Sequence, residues 1–221
     1  MVEIFAATAA KRYERFYFDE IYPHITRQRR DRINSFLFIE DALRSLAGEW
    51  LTRLVFSEIL HLNFFDIMID FDKNGKPFSS ASSGLHFNIS HSGDWAVCAV
   101  SALPVGVDIE MIQPIELSIA KDYFTENEYR TMTSFSKRTE QLDYFYTIWT
   151  IKESYIKALG LGFSKSPDSF GVSIKNNKIR LTGNCERGYY FRQFNFDNSY
   201  RLCACGLETQ FCNKIKIRIP E

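Results

Sequence analysis

The stretch that decides the fold is LHFNISHSGDWAVCAVSALPVGVDIE, at residues 85–110. Its apolar runs at 85–90 and 95–101 are rich in residues that favour strands, and the turn residues HSGD separate them. Together they predict a β-hairpin. Pro104 then interrupts the chain near its midpoint, which favours a break between two halves of similar length.

A third strand follows this break and carries two carboxylates. Val107 and Ile109 alternate with Asp108 and Glu110, so both acids leave the same face of the strand, with their Cα atoms roughly 7 Å apart. Two carboxylates at this spacing can converge on one cation. A half-exposed strand with a polar face shows the same alternation, and that structural interpretation stays open when the pair is considered alone.

The segment WTIKESYIK at 149–157 has helical spacing. Trp149, Glu153 and Lys157 are four residues apart and lie along one helix face, which aims an acid and a base at the same neighbourhood. Carboxylate ligands without His or Cys favour Mg²⁺ or Mn²⁺ over zinc, and Lys157 would then neutralise phosphate. The alternative is an ordinary ion pair on a solvated helix, worth about 0.3–0.5 kcal/mol.

The composition excludes several classes of protein. With 45% hydrophobic residues, the 221-residue chain has ample material for a packed core. Its 27 Lys and Arg balance 27 Asp and Glu, so no global attraction to nucleic acid or membrane is expected. Five cysteines without CxxC spacing favour a reducing, cytoplasmic setting over a disulfide framework or a structural zinc. No signal peptide or membrane span is predicted.

Helical and strand patterns occur in both halves of the chain. Short strands are expected across much of 170–218, in addition to those at 85–110. The chain should therefore be an α+β protein, with an N-terminal lobe at 1–104 and a C-terminal lobe at 105–221. Helices are predicted at about 39–61, 126–135 and 140–160.

Glu128 has a specific structural explanation. Thr125 and Glu128 match the capping box that opens a helix, in which each side chain bonds the backbone N–H of the other residue. An acid near the positive end of a helix can also reach a substrate hydroxyl. Capping and catalysis therefore both stay open for this residue.

Several polar side chains suit phosphate. The run FNISHS at 87–92 ends in small hydroxyls and an imidazole, among them Ser90 and His91, and Lys76 lies in the turn GKP. An ordinary Ser/His turn and a solvated basic surface are the competing interpretations. The basic cluster of note consists of Arg27, Arg29, Arg30, Arg32 and Arg44.

The sequence contains no Walker-type phosphate loop, GxGxxG, GxSxG or HExxH, so the phosphate chemistry must use another scaffold. Its ordered motifs resemble those of the 4′-phosphopantetheinyl transferases of the monomeric, surfactin-synthetase-activating type. The resemblance covers roughly residues 25–170. The motifs are GKP at 75–77, FNISHS at 87–92, GVDIE at 106–110, FTENEY at 124–129, WTIKESYIK at 149–157 and, more weakly, EDALRSLAG at 40–48.

The resemblance implies a fold and a reaction. The fold would have two similar lobes related by a pseudo-twofold axis, each a small, mainly antiparallel sheet packed with helices. The reaction would transfer 4′-phosphopantetheine from coenzyme A to a serine hydroxyl of an acyl or peptidyl carrier protein, releasing adenosine 3′,5′-bisphosphate.

The resemblance also implies roles for individual residues. Asp108, Glu110 and Glu153 would ligate Mg²⁺, for which Mn²⁺ could substitute. Lys157 would compensate charge on the leaving phosphate, and Glu128 would act on the serine proton. Glu153 would also take part in catalysis.

Coenzyme A would be held by hydroxyls and cations. Arginine stands at positions 29 and 32, where the family commonly has lysine, and Ser45 stands where threonine is common. The residues implied in this role are Arg29, Arg32, Arg44, Ser45, Lys76, Ser90, His91 and Lys157.

A carrier protein is expected to dock in the cleft between the lobes, near residues 111–124. Ile112, Ile115 and Leu117 look exposed there, and internal packing of this segment is the alternative. We expect a monomer that binds neither nucleic acid nor membrane. Rival functions are a metal-dependent phosphohydrolase that uses the same acids on water, and a non-catalytic protein that binds coenzyme A or a carrier.

Overall fold

The computed structural model describes residues 1–72, 75–82, 84–160, 165–176 and 178–220. The strands are β1 Glu3–Thr8, β2 Asp70–Phe71, β3 Pro77–Phe78, β4 His86–Ser92, β5 Trp95–Ser101, β6 Val105–Met111, β7 Phe170–Lys175, β8 Lys178–Gly183, β9 Tyr190–Phe194, β10 Tyr200–Gly206 and β11 Lys216–Arg218. The α-helices are α1 Glu14–Phe16, α2 Arg27–Asn34, α3 Ile39–Leu60, α4 Ala120–Tyr123, α5 Glu126–Ser134 and α6 Arg138–Leu159. Single 3₁₀ or π turns cover Lys11–Tyr13, Tyr17–Ile21, Tyr22–His24, Phe64–Asp66, Leu117–Ile119 and Pro167–Ser169.

The strands form two main sheets, ordered β11-β1-β5-β4 and β6-β10-β9, and two short hairpins, β2-β3 and β7-β8. Neighbouring strands are antiparallel except β1 and β11, which are parallel. The predicted α+β class is confirmed, as are the three predicted helices and the hairpin. Among the described residues, no helix is both long and apolar enough to cross a membrane.

Each main sheet carries one long helix of 22 residues. Helix α3 packs on β5, β1 and β4, while α6 packs on β6 and β10. The other faces of the two sheets meet in a shared core that contains Ile4, Val97, Val107 and Leu202. The molecule therefore has four layers, in the order helix, sheet, sheet and helix. The sheets pack on each other because the apolar face that each one turns away from its helix must also be buried.

The turn of the β4–β5 hairpin is shorter than predicted. His91 and Ser92 belong to β4, and β5 begins at Trp95, so two residues form the turn. The first of them, Gly93, has a φ of 54°, which glycine adopts without the steric cost that other residues meet. The predicted loop position of His91 and Ser92 is therefore wrong.

The C-terminal end of the chain returns to the first sheet. Strand β11 pairs with β1, and Val2 forms an isolated bridge with Phe211. The lobe predicted at 105–221 thus supplies one strand to the sheet of the lobe predicted at 1–104. Short β11 carries no sequence signal for this pairing, which joins residues more than 200 positions apart.

Candidate active site

The alternation in β6 decides which side chains face helix α6. Val107 and Ile109 are fully buried in the core between the two sheets. Asp108 and Glu110 therefore leave the opposite face, which α6 covers. Asp108 is only 2% exposed, so the interpretation of this position as a half-exposed polar face is wrong.

Helix α6 lies directly on β6 because residue 106 is glycine. A Cβ atom on Gly106 would overlap the carbonyl oxygen of Ser154 and the amide nitrogen of Ala158 in the helix backbone. Any larger residue would push the helix away from the strand. The glycine of GVDIE thus sets the depth at which Glu153 and Lys157 meet the acids of β6.

Lys157 and Asp108 form the centre of the site. The Lys157 ammonium donates to Asp108 Oδ1 at 2.6 Å and to Ser90 Oγ at 3.0 Å, and Ser90 donates to the same Oδ1 at 2.9 Å. Removal from water lowers the pKa of Lys157, but the charges of Asp108, Glu153 and Glu110 outweigh this and raise it. Lys157 is therefore a stable cation at neutral pH.

The three acids predicted as metal ligands crowd one another. Burial and the charge of Asp108 raise the pKa of Glu110 to about 7, and the same two causes raise the pKa of Glu153. Burial also raises the pKa of Asp108, against the opposing charge of Lys157. In the described part of the chain, Asp108 Oδ2 is buried without a hydrogen-bond partner. An unpartnered oxygen among repelling carboxylates fits a hard divalent cation.

Lys157 supplies the positive charge at Asp108 in this structure. Across the described residues, no three His, Cys, Asp or Glu side chains form a group that could hold a metal ion as they stand. Joint ligation by Asp108, Glu110 and Glu153 therefore stays a prediction, and it requires side-chain movement.

Glu128 is held in a structural network. It completes both arms of the capping box with Thr125, and its Oε2 pairs with Lys152 Nζ at 2.9 Å. Its Oε1 accepts the N–H of Val172 in β7 at 2.6 Å. Glu128 is 3% exposed, with both carboxylate oxygens bonded to the protein. The structure therefore favours the capping interpretation over the catalytic one.

The partner of Glu128 is Lys152, a residue that was not predicted from the sequence to have a role. Lys152 is 1% exposed and donates to the carbonyl oxygens of Pro167 at 2.7 Å and Phe170 at 2.6 Å. Burial lowers the pKa of this lysine, against the raising effect of Glu128. A helix turns by about 100° per residue, so Lys152 and the neighbouring Glu153 occupy different faces of α6. One face secures β7 and α5, and the other faces the acids.

The predicted basic cluster contains buried and exposed members. Arg29 is 6% exposed, lies 3.4 Å from Glu49, donates to Ser45 Oγ at 3.3 Å and stacks 4.5 Å from the ring centre of Phe71. Arg32 is exposed and lies over the same ring. The solvated-surface interpretation is wrong for Arg29. A phosphate contact by Arg29 would compete with Glu49 and Ser45, whereas the Ser45 hydroxyl accepts from Arg29 and keeps its own proton for another acceptor.

Arg44 and His91 lie beside the β4–β5 turn. Arg44 pairs with Asp41 and donates to the carbonyl of Gly93 at 3.2 Å. Removal of the ring from water and the charges of Lys157 and Arg44 lower the pKa of His91 below its ordinary value of 6.5. Because the His91 side chain is exposed to solvent, the charges of Lys157 and Arg44 account for this lowering of the pKa better than removal from water does.

Lys76 reaches the C-terminal end of α6. Its Nζ lies 3.0 Å from where a Cβ on Gly160 would be, so the Lys76 side chain packs on the helix end. Gly160 caps the helix with a φ of 70°, and the partial negative charge of a helix C-terminus favours a cation there. Lys76 and Lys157 therefore share one end of α6.

The segment 111–124 exposes fewer apolar residues than expected. Leu117 is 7% exposed, and Ile112 and Ile115 pack partly buried against the same cluster beneath α6. The expectation that Leu117 is exposed is wrong, because it fills the core under α4. Ile119, at 42% exposed, presents apolar surface to solvent instead.

The site as a whole combines one buried and two partly buried acids, a lysine bound to the buried one, and further basic side chains from β4, α3 and position 76. Basic side chains beside carboxylates that can hold a cation are suited to phosphate-containing substrates.

Comparison with known proteins gives the family. A model described as 4′-phosphopantetheinyl transferase superfamily matches residues 104–205, and one described as 4′-phosphopantetheinyl transferase, N-terminal, matches residues 13–103. A 4′-phosphopantetheinyl transferase of Bacillus subtilis is 35% identical over 206 residues, covering 92% of this chain and 91% of the relative. The 4′-phosphopantetheinyl transferase Sfp of Bacillus subtilis strain 168 is 37% identical over 190 residues, covering 85% and 84%. The chain belongs to the 4′-phosphopantetheinyl transferase family.

The resemblance, the enzyme class and the reaction are thereby confirmed. The chain is an enzyme that transfers the 4′-phosphopantetheine group of coenzyme A to a carrier protein and so converts the apo carrier to its holo form. The two family models meet between residues 103 and 104.

Replacing Gly106 with alanine should displace α6 and abolish transfer, because the added methyl group meets helix backbone. We expect an overpacking cost of about 1–3 kcal/mol, seen as a lower melting temperature, together with loss of kcat. Gly48→Ala is the matched control, since its Cβ would meet only the side chain of Ile89, at 3.1 Å. Equal activity and melting temperature in the two variants would contradict the close contact.

The lowered pKa of His91 predicts a loss of stability on acidification. Below about pH 6.5 the unfolded residue takes up a proton that the folded residue does not, so the folded state loses its advantage as the pH falls. Compared with His91→Gln, which does not titrate, the wild type should show a steeper fall in melting temperature between about pH 7 and pH 5 by scanning calorimetry. Parallel curves would show that the folded site leaves this pKa unchanged.

Proposed function

We propose that this enzyme loads phosphopantetheine onto a carrier serine at the cluster of Asp108, Glu153 and Lys157, with Mg²⁺ held by Asp108, Glu110 and Glu153. The observation that carries the proposal is the buried, unpartnered Oδ2 of Asp108 among carboxylates that repel one another. Mn²⁺ has the same preference for oxygen ligands and should substitute. The bound cation would supply electrostatic stabilisation to the pyrophosphate of coenzyme A.

Lys157 is suited to the leaving phosphate. Its ammonium is fixed by Asp108 and Ser90, yet the side chain is 27% exposed, so it borders both the buried acids and solvent. A fixed cation stabilises charge that develops on a leaving group without reorganising during the reaction. Lys157 therefore has the position and the charge for this role.

The serine of the carrier must lose its proton during transfer, so the site needs a base near Asp108 and Lys157. Both oxygens of Glu128 are bonded to the protein, which supports a role in holding α5 and β7 beside the site. Glu153 lies on the α6 face toward Asp108 and Lys157, beside the position proposed for the leaving phosphate. We assign the proton to Glu153, either directly or through water.

The remaining cations form the grip for coenzyme A together with His91, whose imidazole is neutral at neutral pH. His91, Lys76 and Arg44 surround the end of α6 and the β4–β5 turn, and Arg32 extends the basic surface. Arg29 and Ser45 lie behind them as buried support. Ser90 reaches the substrate only through Lys157 and Asp108 in this arrangement.

The carrier would dock against the segment 111–124, with Ile119 as its exposed apolar contact. The segment follows directly after β6, which carries Asp108 and Glu110, and an exposed apolar side chain on it would give a helix of the carrier a place to pack. A monomeric, cytoplasmic enzyme is part of the same proposal.

Loss of the metal site should abolish transfer. With coenzyme A, Mg²⁺ and an apo carrier, intact mass should show one added phosphopantetheine, and Asp108→Ala or a chelator should reduce the rate by about 100-fold or more. Glu153→Ala should fail likewise. Glu140→Ala removes an exposed acid from the same helix and should retain activity.

Two outcomes of that assay would contradict the proposal. Full activity of Asp108→Ala in excess chelator would remove the cation from the reaction. Breakdown of coenzyme A without modification of any carrier would indicate hydrolysis, which the same acids could perform on water.

Docking at the 111–124 segment predicts a selective defect. Ile119→Asp should raise the apparent KM for the carrier about tenfold, the effect of losing one good apolar contact, and leave the KM for coenzyme A unchanged. Ile174→Asp is the matched control, because Ile174 is similarly exposed, at 38%, on the β7–β8 hairpin. Equal effects on the two KM values, or equal effects of the two variants, would place the carrier elsewhere.

A further inference from the structure

Strands β4 and β6 belong to different sheets, yet side chains join them. Three alternate residues of β4 accept the backbone N–H groups of three alternate residues of β6, each nineteen positions later in the chain, so the strands run parallel. We call this set the seam. Its pairs are Asn88 Oδ1 with Val107 N at 2.9 Å, Ser90 Oγ with Ile109 N at 3.4 Å and Ser92 Oγ with Met111 N at 3.1 Å.

The two serines of the seam make a second contact. Ser90 donates to Asp108 Oδ1, and Ser92 donates to Glu110 Oε2, each at 2.9 Å. A serine hydroxyl carries one proton, and an N–H group that approaches its oxygen leaves that proton free for another acceptor. The N–H of Met111 therefore orients the Ser92 hydroxyl so that its proton points at Glu110.

The orientation of Glu110 depends on its serine contact more than the orientation of Asp108 does. Asp108 is short, almost fully buried and held by both Ser90 and Lys157. Glu110 has a longer side chain and is partly exposed, and within the described residues Ser92 is its hydrogen-bond donor. Fixing a long side chain before a ligand arrives reduces the conformational entropy lost on binding.

We propose that Ser92 is a positioning residue, which holds Glu110 on the side of β6 that carries Asp108, so that Glu110 needs little further movement to ligate the divalent cation. The inference rests on the proposed metal site. Only the strand conformation of β4 through residue 92 brings the hydroxyl into line with β6, so a serine in the loop predicted from the sequence would not have this role.

Mn²⁺ binding without coenzyme A or carrier tests the proposal directly. Electron paramagnetic resonance or calorimetry on Ser92→Ala should show affinity weakened about 10-fold or more, the effect expected when a group that orients a metal ligand is lost. Ser92→Thr keeps the hydroxyl on a strand that suits β-branched residues and should bind Mn²⁺ close to wild type. Failure of threonine to restore affinity would overturn the proposal.

A double-mutant cycle separates positioning from a general structural effect. In a Glu110→Gln background, Ser92→Ala should weaken Mn²⁺ binding no further, because its effect passes through Glu110. The matched control is Ser101→Ala, which removes a hydroxyl bonded to the N–H of Leu103 and should leave affinity unchanged. Equal losses in both backgrounds, or in the control, would overturn the positioning role.

The same titrations keep the two proposals distinct. If Asp108→Ala binds Mn²⁺ as tightly as the wild type, the metal site itself fails. If Asp108→Ala loses Mn²⁺ while Ser92→Ala binds it normally, only the role of Ser92 fails.

Discussion

The close approach of α6 to β6 is the constraint on which the site depends. Gly106 offers no side chain at the point of contact, so the helix backbone rests on the strand and Lys157 reaches Asp108 at 2.6 Å. The same packing buries Asp108 and raises its pKa, which makes an unpaired carboxylate costly there. Positive charge at this place is therefore a requirement of the fold as well as of the chemistry.

A second feature of the site is its position at the join between the two main sheets. Ser90 and His91 come from the first sheet, Asp108 and Glu110 from the second, and Lys157 from the helix on the second. Because side chains of β4 accept the backbone N–H groups of β6, the same serine hydroxyls that connect the sheets also contact the acids. A change in the relative position of the two sheets would therefore also change the orientation of the acids.

Local periodicity predicted much of this arrangement. Alternation in β6 correctly predicted that Asp108 and Glu110 share one face of the strand. Four-residue spacing correctly predicted that Glu153 and Lys157 share one face of α6. Each pattern follows from backbone geometry alone. Burial of Arg29 against Glu49 and of Lys152 against Glu128 was not predictable, because each pair joins different elements.

The errors in short segments have similar causes. The single helical turn around Leu117 is too short to show a helical period in the sequence. Gly93 has a positive φ, which allows a two-residue turn after Ser92 where a four-residue loop was predicted. The return of β11 to the first sheet is a long-range pairing of a three-residue strand, which local sequence does not encode.

Anomalous diffraction from crystals grown with Mn²⁺ is the most direct test of the central claim. We expect one strong peak bounded by the carboxylates of Asp108, Glu110 and Glu153, beside the Asp108 oxygen that is buried and unpartnered in the described part of the chain. An active, Mn²⁺-saturated enzyme without a peak at these carboxylates would contradict it.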